Sequence, residues 1–324
     1  MDHALRPVTI LSTGGTIAMA GARATPALGV DALLATIPAL AGVAGLRARG
    51  LLELPGAHVG AADALAIARA ALAEAAEGRG VVVTHGTDTL EETAVLCDVL
   101  HGGFEPIVLT GAIRPSSAPG ADGPANLLDA VAVAAAAQCE GLGAVVVFAG
   151  EIHAARAVRK VASLSPAAFG SPARGPLGIV AEGRVRLAGA PLRRLKALPL
   201  PDALDARVPI VPTFLGDDGA GLRGALRDGA DAIVFVALGA GHVAPPVLAA
   251  LREAAAAIPV ALTVRPERGV LAHETYGFEG AEGDLRASGA LPAAGLSPQA
   301  ARMVLLAGLG GGCGRAVLAS ALDV

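Results

Sequence analysis

Short, unbroken apolar runs alternate with helix-length stretches along most of this 324-residue chain. Val8–Leu11, Val81–Val83, Pro106–Leu109 and Ala144–Phe148 are such runs. A parallel strand covered on both faces reads in this way, because every side chain meets a hydrophobic neighbour. Between the runs lie predicted helices over Val30–Ala41, Ala61–Ala76, Leu90–Leu100 and Asn126–Ala137. Repeated βαβ alternation calls for a doubly wound α/β architecture. Gly178–Leu187 reads as a hairpin turning at Glu182-Gly183.

The alternation lapses between about 189 and 207, a stretch rich in Pro, Arg, Leu and Ala, and then resumes. Strands are expected at Pro209–Pro212, Ala232–Val236 and Pro259–Thr263, with helices near Gly219–Asp228, Pro245–Ala256 and Pro298–Gly308. Ser297 is the expected N-cap of the last helix, with Pro298 in its first turn. The expectation is two α/β domains. A larger N-terminal one, 1–188, holds a mostly parallel sheet; 189–207 is a linker; a smaller C-terminal one spans 208–324.

Composition narrows the function classes. Hydrophobic residues make up 53% and charged residues 17%, which is ample core and argues against disorder. The mean hydropathy of +0.59 owes much to alanine, and Asp31, Pro38, Gln138 and Glu140 interrupt the best candidate spans, so no membrane segment is expected. A net charge of −4 with only 2% aromatics supplies neither phosphate tracks nor stacking platforms for nucleic acid. Cys97, Cys139 and Cys313 are widely spaced and form no metal-ligand pattern. They suit small core residues in a reducing compartment. The first strand comes almost at once, with no signal-peptide pattern before it. A cytoplasmic protein without metal or cofactor is expected.

Two polar segments follow apolar strands. In Thr13-Gly14-Gly15-Thr16, the glycines suit a tight turn and close approach of backbone to a ligand. Thr16 would then present its hydroxyl beside backbone N–H groups; alternatively, the threonines bond their own backbone. The lysine of a P-loop and the third glycine of a dinucleotide fingerprint are missing. In Thr84-His85-Gly86-Thr87-Asp88-Thr89, Thr87 or Asp88 could cap the helix beginning near Leu90, with Glu91 and Glu92 matching its dipole. The segment nonetheless holds more polar groups than a cap needs. A threonine nucleophile requires a base. The chain has two lysines, Lys160 and Lys196. Lys160, beside Arg156 and Arg159, is the candidate proton acceptor, with Asp88 to orient it; a solitary lysine is otherwise commonly a surface charge. A third loop, Thr110 to Leu127, also follows a strand, and there Asp122 would start a turn before the helix at Asn126.

Taken together and in this order, Thr13–Ile17, Thr84–Ala94 and Gly111–Ser116 with Ala121–Leu127 resemble the bacterial-type L-asparaginase family with two threonine motifs. Thr275–Phe278, Gly280–Leu285 and Ser297–Arg302 resemble its C-terminal region. The resemblance implies hydrolysis of the asparagine side-chain amide to aspartate and ammonia. It makes Thr16 the nucleophile and Thr87, Asp88 and Lys160 an activating triad. The backbone of Thr87 and Ala112 would hold the amide, and Asp88 the substrate ammonium. Gly15, Ala57, His58, Gly86, Tyr276 and Glu282 would complete the substrate site. The family places each site between subunits, which implies a homotetramer built from intimate dimers, with Glu282 reaching in from a neighbour; Glu282 is otherwise an exposed loop carboxylate.

Three departures bear on substrate and rate. The segment Ala18–Leu28 lacks the tyrosine that usually hydrogen-bonds the nucleophile, and Tyr276 is the chain's one tyrosine. Either Tyr276 enters from another subunit or Thr16 is activated differently. The substrate turn reads Gly56-Ala57-His58 in place of Gly-Ser-Gln, and Ala240 stands where asparagine often binds the ammonium. Hydrolysis of another amide such as glutamine, or a non-catalytic asparagine- or aspartate-binding protein on the same scaffold, are the alternatives.

Overall fold

The computed structural model describes residues 6–20, 25–26, 29–35, 37–189, 196–293 and 295–323. It divides into two compact units, Met1–Ala197 and Leu198–Val324. The division falls within the stretch expected as linker, of which 190–195 lie outside the described residues. Residues 21–24 and 27–28 of the Ala18–Leu28 loop also lie outside them.

The first unit contains β1 (Val8–Gly14), β2 (Met19–Ala20), β3 (Thr25–Pro26), α1 (Val30–Ala35), β4 (Arg47–Leu54), α2 (Ala61–Ala76), β5 (Gly80–Thr84) and α3 (Leu90–Leu100). It continues through β6 (Ile107–Thr110), α4 (Gly123–Ala135), β7 (Ala144–Phe148), β8 (Glu151–Ala154), β9 (Arg159–Lys160), β10 (Phe169–Gly170), β11 (Gly178–Ala181) and β12 (Arg184–Leu187). Eight strands form one sheet in the order β4-β1-β5-β6-β7-β8-β11-β12. The pairs from β4 to β7 are parallel; those from β7 to β12 are antiparallel.

Both faces of the parallel part are covered. Val8, Ile10, Val82, Val108, Val145 and Val147 pack with Leu127, Ala130 and Val131 of α4 on one side. On the other side α2 packs against β5 and α3, and α3 packs against β6 and β7. Leu34 of α1 and Ile37 beyond it join the α4 face, so the chain leaves β1 toward one face and β5 toward the other. Neighbouring strands whose connections part in this way open a crevice at their carboxyl ends, which is where such sheets bind ligands.

Three local differences from expectation have physical causes. The predicted helix 30–41 ends at Ala35, and a 3-10 turn over Pro38–Gly42 follows. Pro38 has no N–H to donate and disfavours a helical residue before it; Ile37 is extended in φ at −129°. α4 begins at Gly123, three residues early, because Pro124 fits its first turn. β4 escapes the apolar pattern altogether, since it is an edge strand whose Arg47, Gly50 and Glu53 face solvent. The hairpin expected at 178–187 is β11–β12, and Glu182 and Gly183 both have positive φ, as a tight right-twisting hairpin requires.

The second unit contains β13 (Ile210–Pro212), α5 (Ala220–Arg227), β14 (Ile233–Ala237), α6 (Pro245–Ala257), β15 (Val260–Val264), α7 (Glu282–Ala287), β16 (Leu291–Pro292), α8 (Pro298–Gly310) and α9 (Arg315–Leu322). β13 to β16 form a four-stranded parallel sheet in sequence order. Ile233, Phe235 and Ala237 pack against Leu222 of α5 and Val247 and Leu251 of α6. Ser297 caps α8 as expected: its Oγ accepts the Ala300 N–H at 2.9 Å. Among the described residues no helix is long and apolar enough to cross a membrane.

Candidate active site

Three loops at the carboxyl ends of β4, β1 and β5 touch backbone to backbone through glycines. A Cβ on Gly15 would stand 2.6 Å from Gly86 Cα, and one on Gly86 would stand 2.4 Å from Gly56 Cα. Side chains cannot enter such contacts, so glycine is the residue that lets these loops meet. Gly15 also has a φ of +77°, which other residues avoid, and its N–H donates to Leu54 O at 3.0 Å. Thr16, Thr87 and Ala57 each follow one of these glycines directly, so the contact gathers residues far apart in sequence. The loop after β6 closes on the same place: a Cβ on Gly111 would lie 2.5 Å from His85 O and 3.4 Å from Thr87 Cγ2, and Ala112 is fully buried beside it.

Lys160 reaches this loop cluster. Its Nζ donates to Thr87 Oγ1 at 2.9 Å and to Asp88 Oδ1 at 2.8 Å. Thr87 is only 7% exposed, whereas the Asp88 side chain is 60% exposed and the Lys160 side chain 21%. The lysine thus runs from a partly wet carboxylate to a buried hydroxyl. Asp88 does not cap α3; Thr89 occupies that position, without a side-chain capping bond. Thr89 Oγ1 instead donates to Gly56 O at 2.7 Å, which pins the Ala57-His58 turn beneath α3. Ala57 and His58 are both exposed.

The surrounding polar residues hold the loops. Asp122 accepts the N–H groups of Ile113 and Arg114 at 3.0 and 2.8 Å. Asn126 Nδ2 donates to Gly111 O at 3.0 Å, and its Oδ1 accepts from Ala149 N at 3.0 Å. These two residues were visible in the sequence only as a turn and a helix start. His85 is fully buried, with Nδ1 2.8 Å from Gly86 O and Nε2 3.1 Å from Thr93 Oγ1. One ring nitrogen donates to a carbonyl while the other accepts a hydroxyl proton, an arrangement that a neutral imidazole satisfies. Burial lowers the His85 pKa below the ordinary 6.5, against the raising effect of the Gly86 carbonyl. His153, with Nδ1 3.1 Å from Ser171 Oγ, is likewise lowered by burial, against Glu151.

A stability prediction follows from the sign of these shifts. Above 6.5 both imidazoles are neutral folded or unfolded. As the pH falls below that value, the unfolded chain takes up protons that the folded chain refuses, so stability falls. Thermal denaturation should give a melting temperature that declines progressively below about pH 6.5. A melting temperature unchanged from pH 7 to pH 5 would contradict the neutral, buried state of both rings.

Tyr276 and Glu282 belong to the second unit. Glu282, the first residue of α7, is fully buried, which sets aside the alternative of an exposed loop carboxylate and leaves no exposed surface on the acid expected to reach into a neighbour. Its Oε1 accepts the N–H groups of Thr275 and Tyr276 at 2.5 and 2.8 Å. Burial opposes its charge, but the N–H groups of Tyr276, Glu282 and Thr275, with His242, hold the carboxyl below its usual range. The other oxygen, Oε2, lies 3.6 Å from His242 Nε2, and both atoms are buried without a hydrogen bond. His242 sits edge-on to Tyr276, ring centres 4.6 Å apart, and 5.1 Å from Phe278. His242 was missed in the sequence; its one signal was its place directly after Gly239-Ala240-Gly241.

Two of the cysteines, Cys97 and Cys139, are buried core residues. Burial pushes the thiols of Cys97 and Cys139 up to about 12 and about 11, so neither is a thiolate near neutrality.

Comparison with known proteins agrees with these features. Residues 7–193 match the family model described as Asparaginase, N-terminal, and residues 207–321 match that of the Glutaminase/Asparaginase C-terminal domain. The chain is 38% identical over 323 residues to a probable L-asparaginase of Deinococcus radiodurans, covering 97% of this chain and 96% of that protein. It is 35% identical over 267 residues to a glutaminase-asparaginase of Pseudomonas fluorescens biotype A, covering 77% of this chain and 72% of that protein. The crystal structure of a probable cytoplasmic L-asparaginase from Campylobacter jejuni superposes with a TM-score of 0.81 at 29% identity, covering 94% of this chain and 95% of that one. With both halves of the chain matched in order and the threonine loops of the first half meeting at one sheet edge, the chain belongs to the asparaginase family.

Proposed function

We propose that the protein is an L-asparagine amidohydrolase, releasing L-aspartate and ammonia. The observation that carries this reading is the Lys160 ammonium bonded to both Thr87 Oγ1 and Asp88 Oδ1, beside the Gly15–Gly86 contact that leads into Thr16. The relatives named as L-asparaginases support it.

In this mechanism the Thr16 hydroxyl attacks the side-chain amide carbon. The carbonyl becomes an oxyanion, held by backbone N–H groups at Thr87 and Ala112. Collapse breaks the C–N bond, and the leaving nitrogen takes up the proton that the Thr16 hydroxyl released on attack, departing as ammonia. A Thr16 ester remains, which water opens to release aspartate. Lys160, oriented by Asp88, exchanges protons through the Thr87 hydroxyl. Gly15, Gly86, Ala57 and His58 shape the substrate pocket of the same chain. Half-exposed Tyr276 contributes from a neighbouring subunit within a homotetramer of intimate dimers, while Glu282, buried behind it, holds the Tyr276 backbone rather than reaching the substrate itself. The half-exposed Tyr276 and Phe278, together with exposed Phe214 and Leu215, support burial against another copy. The break in the fold at 197/198 supports a linker within 189–207. A cytoplasmic location rests on the resemblance to the Campylobacter jejuni protein.

The test is ammonia release by the purified protein from L-asparagine, L-glutamine and D-asparagine. Lys160→Met is expected to lower kcat by at least about 10²-fold, the usual scale of acid–base assistance. A loss confined to KM would remove Lys160 from that role. Preference for glutamine, as the glutaminase-asparaginase relative suggests, would keep the chemistry and change the substrate. Aspartate binding without hydrolysis of any amide would favour a binding protein.

A further inference from the structure

Lys160 is held at both ends by one short segment. While its ammonium bonds Thr87 and Asp88, its backbone N–H donates to the Glu91 carboxylate at 2.5 Å, across 69 residues of sequence. Glu91 lies in the first turn of α3, three residues beyond Asp88. The strand that carries Lys160, β9, has two residues and pairs with the equally short β10 in a two-stranded sheet of its own. Such a hairpin has little rigidity by itself. Its position must therefore come from outside, and the Glu91 bond joins it to the helix that presents Thr87 and Asp88. Attraction to the helix dipole accounts for an acid in this turn, but not for a half-buried carboxylate aimed at a distant main-chain N–H.

We infer that Glu91 is a positioning residue for the reaction, fixing the Lys160 backbone so that its ammonium falls between Thr87 and Asp88. The inference rests on the reading of Lys160 as the proton-transferring group. It acts through geometry: the lysine side chain has four rotatable bonds, and a drift of about 1 Å at a reacting group can cost up to about 10²-fold in rate. Burial raises the Glu91 carboxyl, partly offset by the Lys160 N–H and the charge of Arg159, with Glu92 adding to the rise. Holding a carboxylate in this half-buried place is unfavourable for Glu91 itself, which fits a residue kept for its contact.

Steady-state ammonia release from L-asparagine tests this with Glu91→Ala, Glu91→Asp and Glu91→Gln, each alone and with Lys160→Met. Loss of the acceptor in Glu91→Ala, or its retreat by one methylene in Glu91→Asp, should lower kcat about tenfold while KM stays within about twofold. Glu91→Gln keeps an oxygen at the same reach and should restore kcat to within about threefold. In the Lys160→Met background Glu91→Ala should cost nothing more, because the group it positions is gone. Should Glu91→Ala fail to fold, Glu91→Asp carries the test. Normal kcat in Glu91→Asp, equal losses in Glu91→Gln and Glu91→Ala, or a full additional loss in the Lys160→Met background would each overturn the inference. Full activity of Lys160→Met alone would instead overturn the role of Lys160, and this inference with it.

Discussion

Thr16→Ala is expected to lower ammonia release from L-asparagine by at least about 10³-fold, the scale of loss when a covalent nucleophile is removed. The reason lies in the reaction sequence. In the proposed reaction no ester can form without the Thr16 hydroxyl, and water must then attack the amide directly. Thr16 is half-buried and stands at the head of a 3-10 turn after Gly15, so alanine changes no core packing and removes no capping bond. The variant should fold normally and keep its affinity for aspartate, which calorimetry would measure beside the kinetics. Thr87→Ala should share the fall in rate, since it breaks the 2.9 Å link to Lys160. Full activity in both variants would sink the assignment of the two threonines.

Gly86→Ala is expected to be nearly as damaging for a different reason. Its Cβ would lie 2.4 Å from both Gly56 Cα and Gly56 N, which are main-chain atoms that cannot swing aside. The loops after β4 and β5 must part. Overpacking of this kind costs about 1–3 kcal/mol in stability. Because Thr87 and Ala57 sit directly after the two glycines, the same displacement should reduce kcat by about 10²-fold. Gly50→Ala is the matched control: a Cβ there meets nothing within 4 Å. Circular dichroism melts and ammonia release on the three proteins would decide it. A Gly86→Ala protein with normal melting and normal rate would show that the loops do not depend on that contact.

Much of the candidate site was legible in the sequence because its loops follow strand ends. β1, β5, β6 and β7 are covered on both faces, so each appears as a continuous apolar run, and whatever follows such a run stands at the sheet edge. Thr16, Thr87 and Ala112 could be placed in this way. β4 could not, because its outward arginines erase the pattern, so Gly56 and His58 were known only by resemblance. Glu91 was visible as an acid in a helix's first turn, which hid its bond to Lys160. His242 and Glu282, 40 residues apart, show no periodicity that would pair them.

By itself the sequence determined the alternation of elements, the turns that demand glycine, and the residues available for chemistry. These depend on local preferences: apolar runs bury, prolines end helices, glycines accept positive φ. The tertiary structure alone decided the partners. Sheet order brings β4 and β5 to either side of β1, and backbone contact at Gly15, Gly86 and Gly56 then joins the turns that lead into Thr16, Thr87 and Ala57. A two-residue strand, steadied by Glu91, delivers Lys160 to the same place. Contacts of this range arise only when separate segments are packed together, because no local preference of Lys160 specifies a hydroxyl 73 residues away.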